Sequence, residues 1–270
     1  MPQGLSLHIG LNMVDPDHYN GWNGELIACE NDANDMQMIA SSEGFKTTML
    51  LTGNATRAAV TGNISNAAKS LEPGDIFYIS YSGHGGQLPD LNRDEPDGQD
   101  ETWCLYDGEL IDDELNQLWT DFKEGVRIFV TSDSCHSGTI VKEAMSANIK
   151  PFSKLPPRFM DSRQALGTYS RNRDFYNALL LKVKAVASED IKASIILISG
   201  CQDNQYSYDG TFNGEFTGAL KRVWNGGQFN KNYRIFHKQI LSLMPAYQSP
   251  NYLTYGTADS VFENQVPFTI

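Results

Sequence analysis

The chain has 270 residues, of which 21 are Lys or Arg and 33 are Asp or Glu, so its formal net charge is −12. This acidic balance argues against nucleic acid or an anionic membrane as the main partner, because there is no basic excess to neutralise phosphate. Hydrophobic residues make up 40% and charged residues 20%, which is typical of a globular protein rather than a disordered one.

The same sequence carries little sign of a membrane or secretory context. Its apolar runs are too short to span a bilayer, and the first residues lack the basic and apolar regions of a secretory signal. The four cysteines are too few and too dispersed for a disulfide framework. We therefore expect a cytoplasmic protein in a reducing compartment.

Strands and helices alternate along the first part of the chain. A strand is predicted over 5–14, a helix over 31–42, a strand over 46–51 and a helix over 57–71 with Thr56 as its N-cap. Residues 75–82 are mostly apolar and aromatic, as in a buried central strand, and lead into Gly83-His84-Gly85-Gly86.

The second part of the chain continues this alternation. After a polar, acidic loop over 88–101, a hairpin around Gly108 and a helix over 112–123 are predicted. Two further buried strands, 126–132 and 194–199, end in polar segments that begin at Asp133 and Gly200. Helices over 214–224 and 233–243 and a strand over 251–255 follow. The pattern predicts an α/β fold with a mainly parallel sheet.

Residues 139–192 interrupt this regular pattern. The segment contains three prolines and many Lys, Arg and Ser residues, and only 175–186 has a clear helical pattern. A long segment of this kind in a compact domain is usually functional or disordered. We interpret 1–270 as one domain that carries a long, partly ordered insertion at about 139–192.

The ends of the buried strands carry the reactive side chains. Ligand sites in such folds lie at the carboxyl ends of the strands, where His84 and Cys135 are found. A thiol and an imidazole can act as a nucleophile and a general base. Their separation of 51 positions is typical of caspase-type cysteine peptidases.

Each of these residues also has an interpretation that does not involve peptidase catalysis. The glycines around His84 could cradle a phosphate, but no Gly-Lys-Ser/Thr follows them. Cys135 could be an inert buried thiol, although a polar, Gly-terminated strand end is a poor place to bury one. A zinc site that used Cys135, His136 and His84 would lack close ligand pairs, and we assign His136 a structural role.

Several short motifs resemble those of one known family. Residues 81–85, Tyr-Ser-Gly-His-Gly, and 133–138, Asp-Ser-Cys-His-Ser-Gly, resemble the His and Cys signatures of metacaspases and of their bacterial relatives, the orthocaspases. Segments 29–33, 97–101, 112–115 and 199–205 resemble further motifs of that family, in family order.

This resemblance implies a fold and an activity. The fold would be a caspase-like three-layer α/β fold, with a mainly parallel central sheet of six or slightly more strands flanked by helices. The activity would be that of a monomeric cysteine endopeptidase, which cuts polypeptides after Arg or Lys through an acyl-thioester and needs no cofactor for the chemistry. The alternative is a non-catalytic caspase-like regulatory or binding module.

The resemblance also implies the roles of individual residues. His84 would be the general acid/base and Cys135 the nucleophile, with the backbone N–H groups of Gly85 and Cys135 as the oxyanion hole. The acidic S1 pocket, which receives the substrate's P1 side chain, would be formed by Cys29, Asp32, Ser82 and Asp133. Its two carboxylates would bind a guanidinium.

Three points about this site stay open at the level of sequence. Asp32 could also serve to stabilise a helix N-terminus. Asp203 is a candidate for a third acidic wall of the pocket. No third member of a catalytic triad is visible, so a backbone carbonyl could orient His84.

Two further properties have competing interpretations. Asp100, Asp112 and Asp113 match positions of calcium-dependent metacaspases, but Lys142 stands where those proteins have an aspartate, so Ca²⁺ binding and a solvated acidic loop both fit. The insertion holds basic residues at which an Arg/Lys-specific enzyme could process itself, and an ordinary solvated loop would look the same. These basic residues are Lys142, Lys150, Lys154, Arg158, Arg163, Arg171 and Arg173.

Overall fold

The computed structural model describes residues 1–91, 98–135, 155–201 and 207–270. The strands are β1 (Gly4–Gly10), β2 (Lys46–Leu51), β3 (Ile76–Ser82), β4 (Gly85–Pro89), β5 (Gln99–Leu105), β6 (Gly108–Ile111), β7 (Arg127–Asp133), β8 (Ser194–Ser199) and β9 (Asn251–Gly256). The α-helices are α1 (Cys29–Ser42), α2 (Arg57–Ser70), α3 (Asp112–Trp119), α4 (Ser162–Arg171), α5 (Arg173–Leu180), α6 (Glu215–Trp224), α7 (Tyr233–Leu243) and α8 (Ser260–Asn264).

A six-stranded sheet with the order β2-β1-β3-β7-β8-β9 forms the centre of the molecule. All neighbouring pairs are parallel except β8 and β9, which are antiparallel. The predicted α/β class and the mainly parallel six-stranded sheet are therefore confirmed. The antiparallel β9 lies at one edge, where a strand that returns from α7 can pair without a crossover helix.

The sheet buries apolar side chains on both faces. In β3, Phe77 and Ile79 pack into one cluster with side chains of α2 and α3, whereas Ile76 and Tyr78 pack into a second cluster with α1, α6, α7 and α8. Successive side chains of a strand point to opposite faces, so a strand buried on both sides is apolar at every position. This explains why β3 is mostly apolar and buried at every position, and it gives the three-layer arrangement.

A small antiparallel sheet, β4-β5-β6, follows β3 directly. The hairpin around Gly108 was predicted, but β4 was not, because its first residues are the glycines that follow His84. Glycine has a low intrinsic preference for strands, and here the pairing of Gly85 with Trp103 and of Leu88 with Asp100 sets the conformation.

Other local predictions differ in detail. The Thr56 hydroxyl accepts a hydrogen bond from the Ala59 N–H at 3.2 Å, which confirms the N-cap of α2. The helix predicted over 112–123 ends at Trp119. Within the predicted insertion, residues 155–192 contain two helices, α4 and α5, rather than one over 175–186. Among the described residues, no helix combines the length and apolar character needed to cross a bilayer.

Candidate active site

Two neighbouring strands bring the predicted reactive residues together. The parallel register of β3 and β7 pairs Ser82 with Asp133 at the last position of each strand. His84 follows Ser82 by two residues and Cys135 follows Asp133 by two residues. Equal offsets from a paired position place both residues at the same carboxyl edge of the sheet, where ligand sites of this architecture lie.

His84 is held by a backbone carbonyl group. Its Nε2 lies 3.0 Å from the carbonyl oxygen of Gly24, and its ring packs 4.8 Å from the ring of Trp22. A carbonyl oxygen can only accept, so Nε2 carries the proton and Nδ1 keeps its lone pair. The buried Nδ1 has no hydrogen-bond partner among the described residues. Burial lowers the pKa of His84 to about 4, which keeps the imidazole neutral.

Cys135 is completely buried, contrary to the expectation that this strand end would be open. Its Sγ accepts a hydrogen bond from the Ser207 N–H at 2.6 Å and lies 3.2 Å from the Ser207 carbonyl oxygen. Phe159 and Cys201 pack against it. Burial, followed by the neighbouring Cys201 thiol, raises the pKa of Cys135, so the resting group is a thiol rather than a thiolate.

An acidic pocket beside Cys135 contains an arginine of the same chain. The side chain of Arg158 has 0% relative exposure. Its Nη2 lies 2.7 Å from Asp32 Oδ2 and 2.9 Å from Asp209 Oδ1, and its Nη1 lies 2.9 Å from Asp133 Oδ2. Nη1 also donates to the Ser82 hydroxyl at 2.8 Å. Three carboxylates thus surround one guanidinium.

Backbone and side-chain donors hold these carboxylates in place. Asp32 accepts from the Gly214 N–H at 3.1 Å, and Asp133 accepts from the N–H and hydroxyl of Thr217 at 3.1 and 2.8 Å. Burial raises the pKa of Asp32 to about 6, with Asp133 adding to the rise and Arg158 opposing it. The carboxylates are therefore arranged to bind a cation. Without one, they would be buried charges with no counter-charge, which is energetically unfavourable.

The fourth predicted pocket residue, Cys29, is also buried at this site. Its thiol interacts with Ser82, and Arg158 is among its charged neighbours. Burial raises the pKa of Cys29 to about 12, so it remains an uncharged thiol in the pocket wall.

The backbone of Arg158 contacts both predicted oxyanion donors. Its carbonyl oxygen accepts hydrogen bonds from the Gly85 N–H at 3.0 Å and from the Cys135 N–H at 3.2 Å. Its own N–H donates to the Ser207 carbonyl oxygen at 2.9 Å. A Cβ on Gly85 would collide with the Cys135 carbonyl oxygen, so only glycine allows this close approach.

Sequence reasoning missed two parts of this pocket. Asp209 is fully buried against Arg158, and its second oxygen accepts from the Ile27 N–H at 2.8 Å. The sequence pattern predicts Gly214 only as the start of a helix, but a Cβ there would lie 2.6 Å from Arg158 Cζ. Asp209 lies ten residues after the end of β8, whereas the sequence pattern favours Asp203, which is nearer to that strand end. Asp203 lies outside the described residues, as do His136 and Lys142.

The candidate calcium ligands do not assemble a metal site among the described residues. Asp100 is buried in β5 opposite Leu88, and Asp112 and Asp113 lie in the first turn of α3. No group of three or more His, Cys, Asp or Glu side chains in the described ranges is arranged to hold a metal ion. Calcium binding is therefore unsupported by the described residues.

The chain is similar to proteins of one known family. A family model described as the caspase domain matches residues 13–257. The chain belongs to the caspase-domain family of cysteine peptidases. Metacaspase-1 of Kluyveromyces lactis is 30% identical over 249 residues, which cover 80% of this chain and 56% of that protein. Metacaspase-1 of Schizosaccharomyces pombe is 31% identical over 249 residues, or 80% of this chain and 57% of that protein.

These comparisons place the chain among metacaspase-like members of the caspase-domain family. The chain spans between about half and two thirds of the length of the curated metacaspases it matches. The crystal structure of protein GSU0716 from Geobacter sulfurreducens has a TM-score of 0.93 and 56% identity, with 99% of both chains covered. Caspase-1 from Spodoptera frugiperda has a TM-score of 0.53 and 11% identity over 94% of this chain and 86% of that chain, and shares the fold.

Proposed function

We propose that this chain is a cysteine endopeptidase that cuts polypeptides after Arg or Lys. The observation that carries the proposal is Arg158, whose side chain fills a pocket of three carboxylates while its carbonyl oxygen accepts from the Gly85 and Cys135 N–H groups. A P1 residue bound for cleavage needs both contacts at once. A buried structural arginine needs only the first.

The proposed reaction begins with proton transfer from Cys135 to His84. Because Gly24 holds the Nε2 proton of His84, Nδ1 is the atom that accepts the thiol proton. The Cys135 sulfur then attacks the carbonyl carbon of the P1 residue, and the Gly85 and Cys135 N–H groups stabilise the oxyanion. His84 returns the proton to the leaving amine, and water hydrolyses the resulting acyl-thioester.

Contacts with Arg158 favour arginine over lysine at P1. Both terminal nitrogens of the guanidinium are used, by Asp32 and Asp209 on one side and by Asp133 on the other. An ammonium group is a single point and cannot reproduce this fork. Each lost charge-assisted hydrogen bond costs about 1.5–3 kcal/mol, so we expect Lys peptides to be cut ~10- to 100-fold less efficiently. An Asp at P1 would be repelled.

Further properties follow as parts of the same proposal. We expect one caspase-like domain over 1–270 with an insertion at about 139–192, within which the chain processes itself. We also expect a cytoplasmic monomer that acts on polypeptides and not on nucleic acid or membranes. No step of the proposed reaction uses a metal ion.

The alternative is a caspase-like module that binds partners without catalysis. It would have no use for a histidine with one ring nitrogen held by a carbonyl and the other buried without a partner. Nor would it need two N–H groups converging on one carbonyl oxygen beside a thiol. We therefore favour the enzyme.

Two matched fluorogenic peptides that differ only at P1, Arg or Asp, test the proposed activity. The Arg158→Gln chain is assayed beside the natural chain, because Arg158 occupies the pocket that the peptide must enter. We expect the Arg158→Gln chain to hydrolyse the Arg peptide and to leave the Asp peptide intact. Each assay is run with calcium and with chelator, so that any metal requirement is seen directly.

Cysteine variants provide the control for the chemistry. Cys135→Ala should abolish hydrolysis, whereas Cys104→Ala, the same truncation of another buried thiol, should retain it. If every form, including the Arg158→Gln chain, left the Arg peptide intact, the enzyme proposal would be wrong and the binding module would stand.

A further inference from the structure

We propose that the helix pair α4–α5 positions the catalytic histidine by holding segment 15–24, here called the histidine loop. Gln164, Asn172 and Tyr176 are the positioning residues, which act on His84 through the loop and do not touch the substrate. This inference rests on the proposed peptidase activity. It adds to that proposal a support for the general base that comes from a part of the chain remote from it in sequence.

The histidine loop makes two contacts with the imidazole of His84. The Gly24 carbonyl oxygen lies 3.0 Å from Nε2, and the ring of Trp22 packs 4.8 Å from the imidazole. Residues 11–28 contain no helix or strand, so other parts of the chain must fix the conformation of the loop. The geometry of proton transfer at His84 therefore depends on what holds the loop.

One set of contacts comes from the end of β5. The Tyr19 hydroxyl donates to the Leu105 carbonyl oxygen at 2.7 Å, and the Asp15 N–H donates to the Tyr106 carbonyl oxygen at 2.9 Å. These bonds join the loop to the small antiparallel sheet. The second set of contacts comes from α4 and α5.

Two side-chain amides of α4 and its C-cap hold the backbone of the histidine loop. Asn172 Nδ2 donates to the His18 carbonyl oxygen at 2.8 Å, and Gln164 Nε2 donates to the Tyr19 carbonyl oxygen. The Tyr19 carbonyl oxygen also accepts from the Trp22 N–H at 3.0 Å. The two amides therefore act on the turn that leads to Trp22.

The Tyr176 hydroxyl of α5 adds a contact to a side chain of the loop. Tyr176 is completely buried, and its hydroxyl lies 2.7 Å from His18 Nε2. The same hydroxyl accepts from the Glu109 N–H of β6 at 3.2 Å. A single buried hydroxyl thus joins α5, the histidine loop and β6.

The face of α4 that meets the loop is polar, although apolar burial usually decides which face of a helix turns inward. Gln164, Thr168 and Asn172 follow one another at intervals of four residues, so they share one face. Thr168 is completely buried, whereas Leu166 is 64% exposed. Hydrogen bonds to the carbonyl groups of the loop explain this orientation of the helix, because buried carbonyl groups need donors.

The acidic pocket is held by a different part of the chain. Asp32 accepts from the Gly214 N–H, and Asp133 accepts from the N–H and hydroxyl of Thr217. Loosening of the histidine loop should therefore impair proton transfer by His84 and leave binding of the P1 side chain almost unchanged. A lower kcat at an unchanged KM is the expected sign of this role.

Steady-state kinetics on the Arg peptide, in the Arg158→Gln chain, is the experiment. Asn172→Asp keeps the size of the side chain but removes the donor to the His18 carbonyl group, and Tyr176→Phe removes only the hydroxyl. We expect each variant to lower kcat about tenfold, a part of the 10²- to 10⁴-fold that a positioned acid/base residue supplies. KM should stay close to that of the parent chain.

Asn177→Asp and Tyr169→Phe are the matched controls. The Tyr169 hydroxyl donates to Asn177 Oδ1 at 2.6 Å, a bond that joins α4 to α5 and does not involve the loop. Both controls should keep the kcat of the parent chain. Midpoints of urea denaturation, measured for all four variants, show that a loss of kcat does not follow a loss of folding.

Coupling to Gly24 separates a positioning role from a general loss of stability. Gly24→Ala disturbs the loop at the carbonyl group that holds His84. Because Asn172 acts through the same loop, Asn172→Asp should lower kcat less in the Gly24→Ala background than in the parent chain. Two losses that multiply in full would place the effect of Asn172 elsewhere and overturn the inference.

Two further outcomes would overturn the inference while leaving the enzyme proposal intact. These are an equal kcat in the Asn172→Asp and Asn177→Asp chains, and a raised KM at unchanged kcat in the Tyr176→Phe chain. Absence of peptide hydrolysis by the parent Arg158→Gln chain would instead count against the peptidase itself, and the inference would fall with it.

Discussion

The Nε2 atom of His84 lies 3.0 Å from the carbonyl oxygen of Gly24. In the proposed mechanism this contact takes the place of the side chain that orients histidine in a catalytic triad. It sets the tautomer, because the carbonyl can only accept, and leaves Nδ1 as the basic atom. Gly24 has a φ of +55°, a conformation that side-chain-bearing residues rarely adopt. The position of the imidazole thus depends on a backbone turn remote from it in sequence.

Replacing Gly24 with Ala should impair catalysis more than folding. A Cβ at this position would lie 2.9 Å from the Trp22 ring and 3.1 Å from His84 Cδ2. The Trp22 ring and the His84 imidazole would therefore have to move. We expect kcat on the Arg peptide, measured in the Arg158→Gln chain, to fall by at least about tenfold, because acid/base catalysis depends on hydrogen-bond geometry.

Gly21→Ala is the matched control for this prediction. Gly21 lies in the same loop at a φ of +88°, but a Cβ there has no neighbour within 4 Å. Both variants should lose about 1–2 kcal/mol of unfolding free energy from backbone strain, measured by urea denaturation. Equal kcat values in the two variants would refute a positioning role for Gly24.

Asp32→Asn should reduce cleavage after arginine with little effect on the reacting groups. Asp32 accepts from Arg158 Nη2 at 2.7 Å, and loss of one charge-assisted hydrogen bond corresponds to about 1.5–3 kcal/mol. We expect kcat/KM for the Arg peptide in the Arg158→Gln background to fall ~10- to 100-fold. Asp35→Asn is the control, since Asp35 is buried on the same helix but pairs with Lys221. A similar loss in both variants would argue against a P1 pocket at Asp32.

Opening of the pocket should create a binding site for a free guanidinium. In a Cys135→Ala background, where no cleavage occurs, agmatine should raise the Tm of the Arg158→Gln chain. A ligand at 100 times its Kd adds about 2.7 kcal/mol of stability, which corresponds to a rise of several degrees. Pentylamine, which lacks the guanidinium fork, should give a smaller rise.

Acidity should weaken this effect of agmatine. Burial raises the pKa of Asp32 to about 6 even with Arg158 beside it, so at pH 5 the carboxyl is largely protonated and attracts a cation less. The Tm rise should therefore be larger at pH 7.5 than at pH 5. Agmatine should leave the Cys135→Ala chain with Arg158 in place unchanged, and an equal rise there would show that binding occurs elsewhere.

Glu109→Gln should alter how stability depends on pH. Burial raises the pKa of Glu109 to about 8, against the opposing effects of Thr102 and Arg57. Between about pH 4.5 and 8 the unfolded chain ionises this carboxyl while the folded chain keeps its proton. The unfolding free energy of the chain with Glu109 therefore falls as pH rises, by up to about 1.4 kcal/mol per pH unit.

Urea denaturation at pH 5, 6, 7 and 8, in the Cys135→Ala background, measures this effect. Glutamine cannot ionise. The unfolding free energy of the Glu109→Gln chain, relative to that of the chain with Glu109, should therefore increase steadily from pH 5 to pH 8. The exposed Glu189→Gln variant is the control, because removal of a solvated carboxyl should leave the pH dependence as it was. A constant difference for Glu109→Gln would mean that Glu109 is ionised in the folded chain.

Much of the fold could be predicted from local patterns. The strand predicted over 194–199 and the helix predicted over 233–243 agree with β8 and α7 to the residue, because apolar periodicity reports which faces are buried. The glycine-led β4 could not be predicted in this way, since its conformation comes from pairing with β5.

Short motifs that follow the buried strands were enough to predict the family, the dyad of His84 and Cys135 and the acidic residues Asp32 and Asp133. Local sequence could not predict which distant residues contact His84 or line the acidic pocket, because that depends on the packing of the whole chain. Gly24, Asp209 and Arg158 reach the site from separate loops, and Arg158 is one of several basic residues that look alike in sequence. The physical reason is that a buried charge requires counter-charges that converge in space, and convergence depends on strand register and loop packing rather than on sequence spacing.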